Sequence, residues 1–391
     1  MKIVVLGGLG LQGRAAVIDL MRSPRVTEVV CADAHTQGIE SFSTLEGFEK
    51  LNPTALDAGS SRALAGLLGR GADAVVDLLP IRFMRRAFEA AVQAGVPLVS
   101  TNYAHPLLDL DEPARERGVV LMPECGLDPG IDLVIMGEAV RRFETVTRLD
   151  SYCGGIPEPS ARDNPLGYKI SWNFEMVLTS QMRPSRFVRD GGIFEVPAEA
   201  QHESEMNHEI DFPGLGRLEA IPNGDAVAYV ERLGLSEAIR ESGRYSLRWP
   251  GWRDFWRAAK RLGLLDETPV PGLPGDISPK QFMVRHLEPR LQYGPGERDL
   301  TPMVNVFEGQ CQGRPLRLTT RLLIARDLDT GLLAMNIGVG YTASVVAQMI
   351  AGGEIDTPGL RSPVRDIPYR RFMAEMRQRG IRIDEELTWP D

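Results

Sequence analysis

At 391 residues and 43.1 kDa, the chain is longer than one ordinary hydrophobic core requires, and its length predicts two domains. Hydrophobic residues make up 43% and charged residues 25% of the chain, as in globular proteins, which excludes extensive disorder. The 44 Lys and Arg against 53 Asp and Glu give a net charge of −9, which argues against binding to a nucleic acid backbone.

Residues 1–125 alternate strand and helix patterns. Continuous apolar runs predict buried strands at 3–6, 29–32, 74–79, 96–99 and 119–122. The stretches between them are interpreted as helical, and 14–21 shows clear helical spacing of its apolar residues. This alternation predicts an α/β domain with a parallel sheet that is covered on both faces.

The rest of the chain has a different pattern. From Arg148 to about Ala325, β-type runs such as 149–153 and 316–324 are interrupted by many glycines and prolines. A basic, tryptophan-rich helix is predicted at 252–264, and two further helices at 342–351 and 369–379. The mixture predicts an α+β second domain with a mainly antiparallel sheet.

The N-terminal segment and the cysteines indicate the cellular compartment in which the protein is expected. The start, MKIVVLGGLG, has neither the apolar length nor the cleavage site of a secretory signal, and no apolar window approaches a membrane span. Cys31, Cys125, Cys153 and Cys311 have no metal-type spacing and are too few to indicate a disulfide framework. We therefore expect a cytoplasmic protein that binds neither membranes nor nucleic acid.

A glycine-rich segment follows the first strand and opens the first helix. It reads Gly7-Gly8-Leu9-Gly10-Leu11-Gln12-Gly13. Glycines at this spacing permit a tight turn and let backbone amides approach a pyrophosphate, so the segment predicts a dinucleotide site. The alternative is a turn that packs helix on strand without a nucleotide.

The residue type at the end of the second strand bears on which dinucleotide binds. Asp33 lies 20 residues past Gly13, where an acid accepts hydrogen bonds from the adenosine ribose and repels a 2′-phosphate. We therefore expect NAD rather than NADP. Arg14 keeps NADP open as the alternative, because an arginine there could reach the phosphate.

Four more segments carry chemistry-bearing side chains. They are 99–103 (VSTNY), 124–132 (ECGLDPGID), 151–157 (SYCGGIP) and 163–172 (DNPLGYKISW). The first two follow the carboxyl ends of predicted parallel strands, where open α/β sheets place their ligands. A phenol, carboxylates and thiols in these segments could move protons beside a bound nicotinamide.

The same segments resemble the saccharopine dehydrogenase family, in particular its glutamate-forming reductases and the lysine 6-dehydrogenases. The similarity spans nearly the whole chain and includes 292–299 (QYGPGERD) and the ending, 348–384. It implies a Rossmann-type NAD(P)-binding domain at 1–125 and 335–391, to which the last helices return. It also implies a substrate-binding and dimerisation domain at 126–334, and hence a homodimer.

The resemblance implies roles for individual residues. Tyr103, Asp128 and Cys153 match family positions proposed for proton transfer or substrate orientation. Leu79 and Pro80 match a cofactor-contacting loop, and Thr101 is assigned with them. The substrate-binding residues that we assign are Asn102, Tyr103, Asn223, Ser246 and Arg248, of which the arginine matches one that grips a substrate carboxylate.

Each of these side chains also has a purely structural alternative. Asp128 could start a turn and cap the next helix, and Cys153 could be a small buried hydrophobe. Tyr103 could be a core aromatic, and Arg248 could be a surface cation stacked on Trp249. The histidine- and glutamate-rich stretch 202–209 has no zinc-type spacing, so we expect no metal.

Two departures from the family pattern leave the substrate open. Gly224 stands where saccharopine reductases have an arginine, and Leu133 stands where they have a histidine. The expected reaction is hydride transfer from an amine-bearing carbon to nicotinamide, followed by hydrolysis of the imine. The substrate is then saccharopine, with Arg244 supplying the missing charge, or a less acidic molecule such as lysine. Carboxyspermidine dehydrogenation and a non-enzymatic NAD-binding redox sensor are the further alternatives.

Overall fold

The computed structural model describes residues 1–272 and 275–389, which divide into two compact units. Unit 1 comprises Met1–Glu138 and Asn336–Arg382, and unit 2 comprises Ala139–Met335 and the residues from Ile383 onward. Residues 273, 274, 390 and 391, which the predicted domain ranges include, lie outside the described residues.

Twelve α-helices and seventeen β-strands, numbered along the chain, lie within the described residues. The helices are α1 (Leu11–Arg22), α2 (Ser61–Leu68), α3 (Ile81–Ala94), α4 (Asp111–Glu116), α5 (Ile131–Val140), α6 (Phe174–Ser180), α7 (Ala226–Arg232), α8 (Trp252–Arg261), α9 (Pro279–Leu287), α10 (Ala334–Ala351), α11 (Pro363–Asp366) and α12 (Tyr369–Gln378). The strands are β1 (Lys2–Leu6), β2 (Glu28–Asp33), β3 (Leu51–Ala55), β4 (Ala74–Asp77), β5 (Leu98–Ser100), β6 (Val120–Met122), β7 (Thr145–Cys153), β8 (Ile156–Pro157), β9 (Ser185–Arg189), β10 (Gly192–Val196), β11 (His208–Phe212), β12 (Gly216–Pro222), β13 (Glu241–Arg248), β14 (Asp299–Cys311), β15 (Arg314–Ala325), β16 (Gly359–Leu360) and β17 (Asp384–Thr388).

Unit 1 is built on a parallel sheet of seven strands in the order β16-β6-β5-β4-β1-β2-β3. Strands β1, β2, β4, β5 and β6 confirm the predicted apolar runs, and the parallel α/β fold class is confirmed with them. Strand β3 corrects the helical interpretation of the stretch between β2 and β4. It is an edge strand with few buried side chains and a proline at position 53, so it lacks the apolar run that marks a buried strand.

The C-terminal helices pack on α1 through small and polar residues. A Cβ added to Gly340 of α10 would lie 2.7 Å from the backbone nitrogen of Ala16, so the two helices touch closely. The buried carboxylate of Asp19 accepts hydrogen bonds from Ser344 Oγ and Arg379 Nε, both at 2.6 Å. Asp19 thereby ties α1 to α10 and to the end of α12.

Helix α10 is long and apolar enough, by length and composition alone, to cross a membrane. Within the protein, however, 89% of its 18-residue window is buried. This burial is that of a core helix.

Unit 2 contains a mixed ten-stranded sheet with the main order β10-β9-β13-β7-β14-β15-β17. Strands β7 and β13 pair in parallel, and the other neighbours pair antiparallel, which confirms the mainly antiparallel second sheet. Side chains on one face of this sheet form an apolar cluster that includes Tyr152, Leu247 and Val304.

The boundaries of the units differ from the predicted domain ranges at residues 126–138, at Met335, which belongs to unit 2, and from Ile383 onward. Residues 126–138 belong to unit 1, because α5 packs there: a Cβ added to Gly137 would lie 1.9 Å from the carbonyl oxygen of Val364. The chain from Ile383 belongs to unit 2, because β17 pairs with β15. The charged sequence of β17 gives no hydrophobic pattern from which this pairing could be predicted.

Candidate active site

The glycine-rich segment between β1 and α1 leaves no room for a Cβ atom at Gly7, Gly8 or Gly13. Gly7 has a φ of +76°, a left-handed conformation that glycine adopts without strain. A Cβ on Gly13 would lie 2.0 Å from the carbonyl oxygen of Gly7, and one on Gly8 would lie 2.5 Å from Cys31 Sγ. The turn therefore requires glycine at these positions.

The first turn of α1 offers uncapped backbone N–H groups. Its N-cap, Gly10, makes no side-chain hydrogen bond to the helix, and the first turn carries no acidic residue. Leu11, at the same end, is 54% exposed, so this helix end faces solvent. A positive helix end beside a close-packed glycine turn fits the pyrophosphate of NAD or NADP, which residues Gly7–Gly13 would hold.

Asp33 ends β2 directly beside this loop. Its Oδ2 accepts a hydrogen bond from the Leu9 N–H at 3.0 Å, and its Oδ1 accepts one from the Ala34 N–H at 2.8 Å. Arg14 donates to Ser41 Oγ at 2.6 Å. A carboxylate is thus fixed where the ribose of a dinucleotide is expected, and Arg14 is engaged with the segment that follows β2.

The ends of β4 and β5 carry the other cofactor and substrate residues expected in unit 1. Leu79 and Pro80 follow β4, where the Leu79 N–H donates to Asp77 Oδ1 at 3.2 Å and Pro80 is the N-cap of α3. Thr101 and Asn102 follow β5 and are half-buried. Since β4 and β5 are parallel neighbours, all four residues lie at the carboxyl edge of one sheet.

Tyr103 is 46% exposed, so the core-aromatic alternative is wrong. Glu124 holds the residues on either side of it: the Glu124 N–H donates to the Asn102 carbonyl at 2.9 Å, and Glu124 Oε1 accepts from the Ala104 N–H at 3.3 Å. Glu124 is buried and has a φ of +62°, which is uncommon outside glycine. Sequence reasoning missed this role of Glu124, because its partners follow a different strand.

Asp128 lies in a tight turn between β6 and α5. The Gly126 N–H donates to the Pro129 carbonyl at 2.9 Å, and a Cβ on Gly130 would lie 1.9 Å from the Gly126 carbonyl oxygen. Asp128 is half-buried, and the Asp128–Pro129 peptide bond is cis. Asp132 Oδ1 accepts from the Gly130 N–H at 2.7 Å, and burial raises the pKa of Asp132 to about 7. The turn therefore fixes two carboxyl groups at this end of the sheet.

The expected residues of unit 2 lie on three neighbouring strands. Cys153 of β7 is opposite Ser246 of β13, and Asn223 follows β12, where its N–H donates to the Arg244 carbonyl at 2.9 Å. Because side chains alternate along a strand, Arg244, Ser246 and Arg248 project from one face of β13. The structure thus brings Cys153, Ser246 and Arg248 together, with Asn223 at the adjoining strand end.

Arg248 is 6% exposed, so the surface-cation alternative is wrong. Its Nη1 donates to the Leu247 carbonyl at 2.7 Å. The Cζ atom lies 5.1 Å from the ring centroid of Trp252 and 5.6 Å from that of Tyr168. Among the residues that the structure describes, Arg248 forms no ion pair and its Nε has no hydrogen-bond partner. A buried guanidinium without a carboxylate is costly, and an anionic ligand would offset that cost.

The titratable groups nearest to Arg248 are two phenols and a thiol, none of them a carboxyl group. Tyr168, Cys153 and Tyr293 are close enough to interact electrostatically with the guanidinium, whose pKa is lowered by burial. Burial also raises the pKa of Tyr168 to about 12. The hydroxyls of Tyr168 and Tyr293 are buried and have no hydrogen-bond partner among residues 1–272 and 275–389. Cys153 is itself buried, so its role as a small core residue and its predicted role both remain compatible with its position.

An ion-pair cluster joins the two segments that carry these tyrosines. Lys169 Nζ lies 2.7 Å from both carboxylate oxygens of Glu297 and 2.9 Å from Asp163 Oδ2. Lys169 is buried and follows Tyr168, and Glu297 lies in the same segment as Tyr293. Both segments were singled out by their sequence, but the link between them has no local signal.

No metal centre is formed within the described part of the chain: no group of three or more His, Cys, Asp or Glu side chains is placed to hold an ion. His202, from the histidine-rich stretch, hydrogen-bonds with Gln181 and Lys260. His208 lies 3.1 Å from the Tyr152 hydroxyl. His202 and His208 therefore have different hydrogen-bond partners and do not form one site.

A Rossmann-type nucleotide-binding unit, followed by a mixed-sheet unit with a buried arginine, defines a two-domain dinucleotide-binding protein. The chain belongs to the saccharopine dehydrogenase family, which confirms the resemblance drawn from its motifs. Residues 3–122 match the model for the saccharopine dehydrogenase NADP binding domain. Residues 126–381 match that for the saccharopine dehydrogenase C-terminal domain.

Relatives with curated names agree with this membership. Saccharopine dehydrogenase [NADP(+), L-glutamate-forming] from Pyricularia oryzae is 30% identical, with 99% of each chain covered. Its counterpart from Saccharomyces cerevisiae is 25% identical, with 98% of this chain and 99% of the relative covered. The mitochondrial alpha-aminoadipic semialdehyde synthase of Mus musculus is 25% identical over 99% of this chain, which spans only 48% of that protein's length.

A solved structure shares the fold. Apo saccharopine dehydrogenase (L-Glu forming) from Saccharomyces cerevisiae superposes with a TM-score of 0.85 at 21% identity and covers 99% of both chains.

Proposed function

We propose that the chain is an NAD(P)-dependent oxidoreductase that acts on the CH–NH group of an amino acid of the saccharopine type. Arg248 carries the proposal, since it is a buried guanidinium that pairs with no carboxylate in the described residues. A substrate carboxylate would supply the missing anion through a bidentate pair of hydrogen bonds. Family membership and the glycine loop support the cofactor half of the proposal.

The reaction requires the protein to bind the cofactor, to orient the substrate and to transfer protons. When bound, the nicotinamide accepts a hydride from the carbon that bears the amine. The loop Gly7–Gly13 holds the pyrophosphate, and Arg248 orients the substrate through its carboxylate. A base removes the amine proton, and water then adds to the resulting imine to release a carbonyl product and a free amine. Tyr103, Asp128 and Cys153 are our candidates for these proton transfers.

The substrate is either saccharopine or a smaller amino acid such as lysine. Gly224 favours the smaller one, because it carries no charge and a Cβ built on it meets no heavy atom within 4 Å. Arg244 supports saccharopine, since it is buried on the same face of β13 as Arg248, with its guanidinium over the Tyr229 ring at 4.3 Å.

We further propose that NAD is the preferred cofactor, although the matching domain model and relatives are named for NADP. The Asp33 carboxylate, held by the Leu9 and Ala34 amides, would repel a 2′-phosphate. Arg14 is the residue that could reverse the preference. A cytoplasmic homodimer without membrane or nucleic acid partners completes the proposal, and light scattering at micromolar concentration tests the dimer.

The proposed function is tested by incubating the purified chain with NAD or NADP and a panel of saccharopine, lysine and carboxyspermidine. Reduction is followed at the nicotinamide absorbance, and products by mass spectrometry. We expect turnover with one of the first two substrates. Turnover of carboxyspermidine alone would support a polyamine-type enzyme. Cofactor binding without any turnover would support a non-enzymatic NAD sensor.

A further inference from the structure

A buried polar chain in unit 2 begins at Lys260 and His202. The His202 ring is fully buried; its Nδ1 lies 3.0 Å from Lys260 Nζ, and its Nε2 lies 3.1 Å from Gln181 Oε1. Because an ammonium only donates hydrogen bonds, Nδ1 is the acceptor and the ring proton is on Nε2, which donates to Gln181. Burial and the Lys260 charge lower the pKa of His202 to about 3, so the ring stays neutral.

The amide of Gln181 extends the chain to an indole. Gln181 Oε1 also accepts a hydrogen bond from Trp252 Nε1 at 3.1 Å. Gln181 Nε2 donates to the Val177 carbonyl at 2.7 Å and to Ser180 Oγ at 2.9 Å. The oxygen accepts two bonds and the nitrogen donates two, so the orientation of the amide is fixed. The amide in turn fixes the buried indole.

The Trp252 indole is the surface on which the Arg248 guanidinium rests. The Arg248 Cζ lies 5.1 Å from the indole centroid, and the Tyr168 ring lies 5.0 Å from the same indole. No carboxylate of the described chain pairs with Arg248, so the direction of its guanidinium is set by the hydrogen bond from Nη1 to the Leu247 carbonyl and by packing on the two rings. A displaced indole would therefore turn the N–H groups of the Arg248 guanidinium away from the position in which they would bind an anion.

We propose that His202 is a positioning residue for the anion site of Arg248, acting through Gln181 and Trp252. The inference rests on the proposed function, because the anion is taken to be a substrate carboxylate. It also gives a role to the segment whose histidines resemble metal ligands in sequence but form no metal site among the described residues.

The first test compares His202→Leu with His202→Gln in the full chain. Leucine removes both hydrogen bonds, whereas the glutamine amide can still donate to Gln181. Glutarate, a dicarboxylate without an amine, is titrated by calorimetry, and KM and kcat are measured with the best substrate of the panel. We expect His202→Leu to raise the glutarate Kd and the substrate KM about tenfold, the equivalent of one hydrogen bond. His202→Gln restores most of the affinity, and kcat and the NAD(P) Kd stay unchanged.

A second variant, Lys260→Met, leaves His202 in place. Lys260 is only partly buried, and its loss removes the hydrogen bond at Nδ1, so the His202 ring is then held only by its bond to Gln181. We expect a higher glutarate Kd here as well. His208→Leu is the matched control, since it changes a histidine of the same segment that contacts Tyr152. Tyr152 precedes Cys153 and therefore points to the opposite face of the sheet.

The outcomes separate this inference from the proposed function. If His202→Leu and Lys260→Met lower the melting temperature but leave glutarate Kd and substrate KM unchanged, the histidine is structural only and the inference fails. Failure of wild-type chain to bind glutarate also overturns it, because no anion site then exists. If glutarate binding responds as expected but no panel substrate is turned over, only the proposed function fails.

Discussion

The two candidate binding regions are built in opposite ways. In unit 1, the glycine loop depends on the absence of side chains, since a single Cβ on Gly13 would lie 2.0 Å from a backbone oxygen. In unit 2, Arg248 depends on the side chains around it, the rings of Trp252 and Tyr168. The first region is therefore sensitive to added atoms and the second to removed atoms. Substitutions that add or remove atoms test this contrast.

Adding one methyl group to the loop has the largest expected effect. In Gly13→Ala, the Cβ would overlap the Gly7 backbone, so β1 and α1 must separate. We expect a loss of about 3 kcal/mol or more in the free energy of unfolding, together with loss of NAD(P) binding by calorimetry. Gly10→Ala is the milder comparison: the φ of Gly10 is −67°, and its Cβ would lie 3.3 Å from the Gly7 carbonyl oxygen, a tight contact that a small shift relieves. Equal effects of the two variants would contradict the close-packed loop.

Removing Lys169, the cation that joins the segments of Tyr168 and Tyr293, has the next largest expected effect. Lys169→Met leaves Glu297 and Asp163 without their shared ammonium and removes the link between the segments. We expect a loss of about 2 kcal/mol in the free energy of unfolding by urea titration, and a higher glutarate Kd. Lys280→Met, which removes a buried lysine paired with the exposed Glu267, should lower stability without changing that Kd. A glutarate Kd unchanged by Lys169→Met would show that the segments do not position the site.

The preference for NAD over NADP tests the role of the Asp33 carboxylate, which is fixed beside the glycine loop. Because Asp33 is held beside the expected ribose position, we expect NAD to bind at least about tenfold more tightly than NADP, or about 1.4 kcal/mol. Calorimetric titration of both cofactors measures this difference. Arg14→Ala makes the test more specific, since weaker binding of NADP but not of NAD would reveal a contact between Arg14 and the 2′-phosphate. Equal wild-type affinities would contradict the proposed role of Asp33.

The smallest expected effect is a change in pH dependence at the same sheet edge. Burial raises the pKa of Asp77 to about 7, from about 3.9 in an unfolded chain. Between these values the folded chain retains a proton that the unfolded chain has lost, so stability falls as pH rises, by about 1 kcal/mol per pH unit. Asp77→Asn keeps the acceptor for the Leu79 N–H and removes this dependence.

Urea unfolding of wild type and Asp77→Asn from about pH 4 to about pH 7 measures the two slopes. The exposed Asp356→Asn serves as the control and should keep the wild-type slope. Parallel slopes for all three chains would mean that Asp77 is ionised in the folded protein throughout this range.

The sequence patterns predicted most of unit 1, because its signals are local. Strands β1 and β2, the loop and Asp33 lie within 33 residues and follow periodic or fixed spacings. Strand β3 was missed, because an edge strand with Pro53 lacks an apolar run. In unit 2, resemblance alone pointed to Arg248. Its surroundings could not be read from the sequence, because contacts such as Lys169–Glu297 join residues 128 positions apart.

The most direct test of the central claim is the effect of Arg248→Ala on substrate and cofactor separately. Loss of the bidentate, charge-assisted hydrogen bonds from Arg248 to the substrate carboxylate should raise the substrate KM and lower kcat/KM about 100-fold, or about 3 kcal/mol. The NAD(P) Kd should not change, and the melting temperature should not fall, because the arginine is a buried charge without an ionic partner in the described chain. An unchanged kcat/KM, or a fall that comes with loss of stability and cofactor binding alike, would contradict the account.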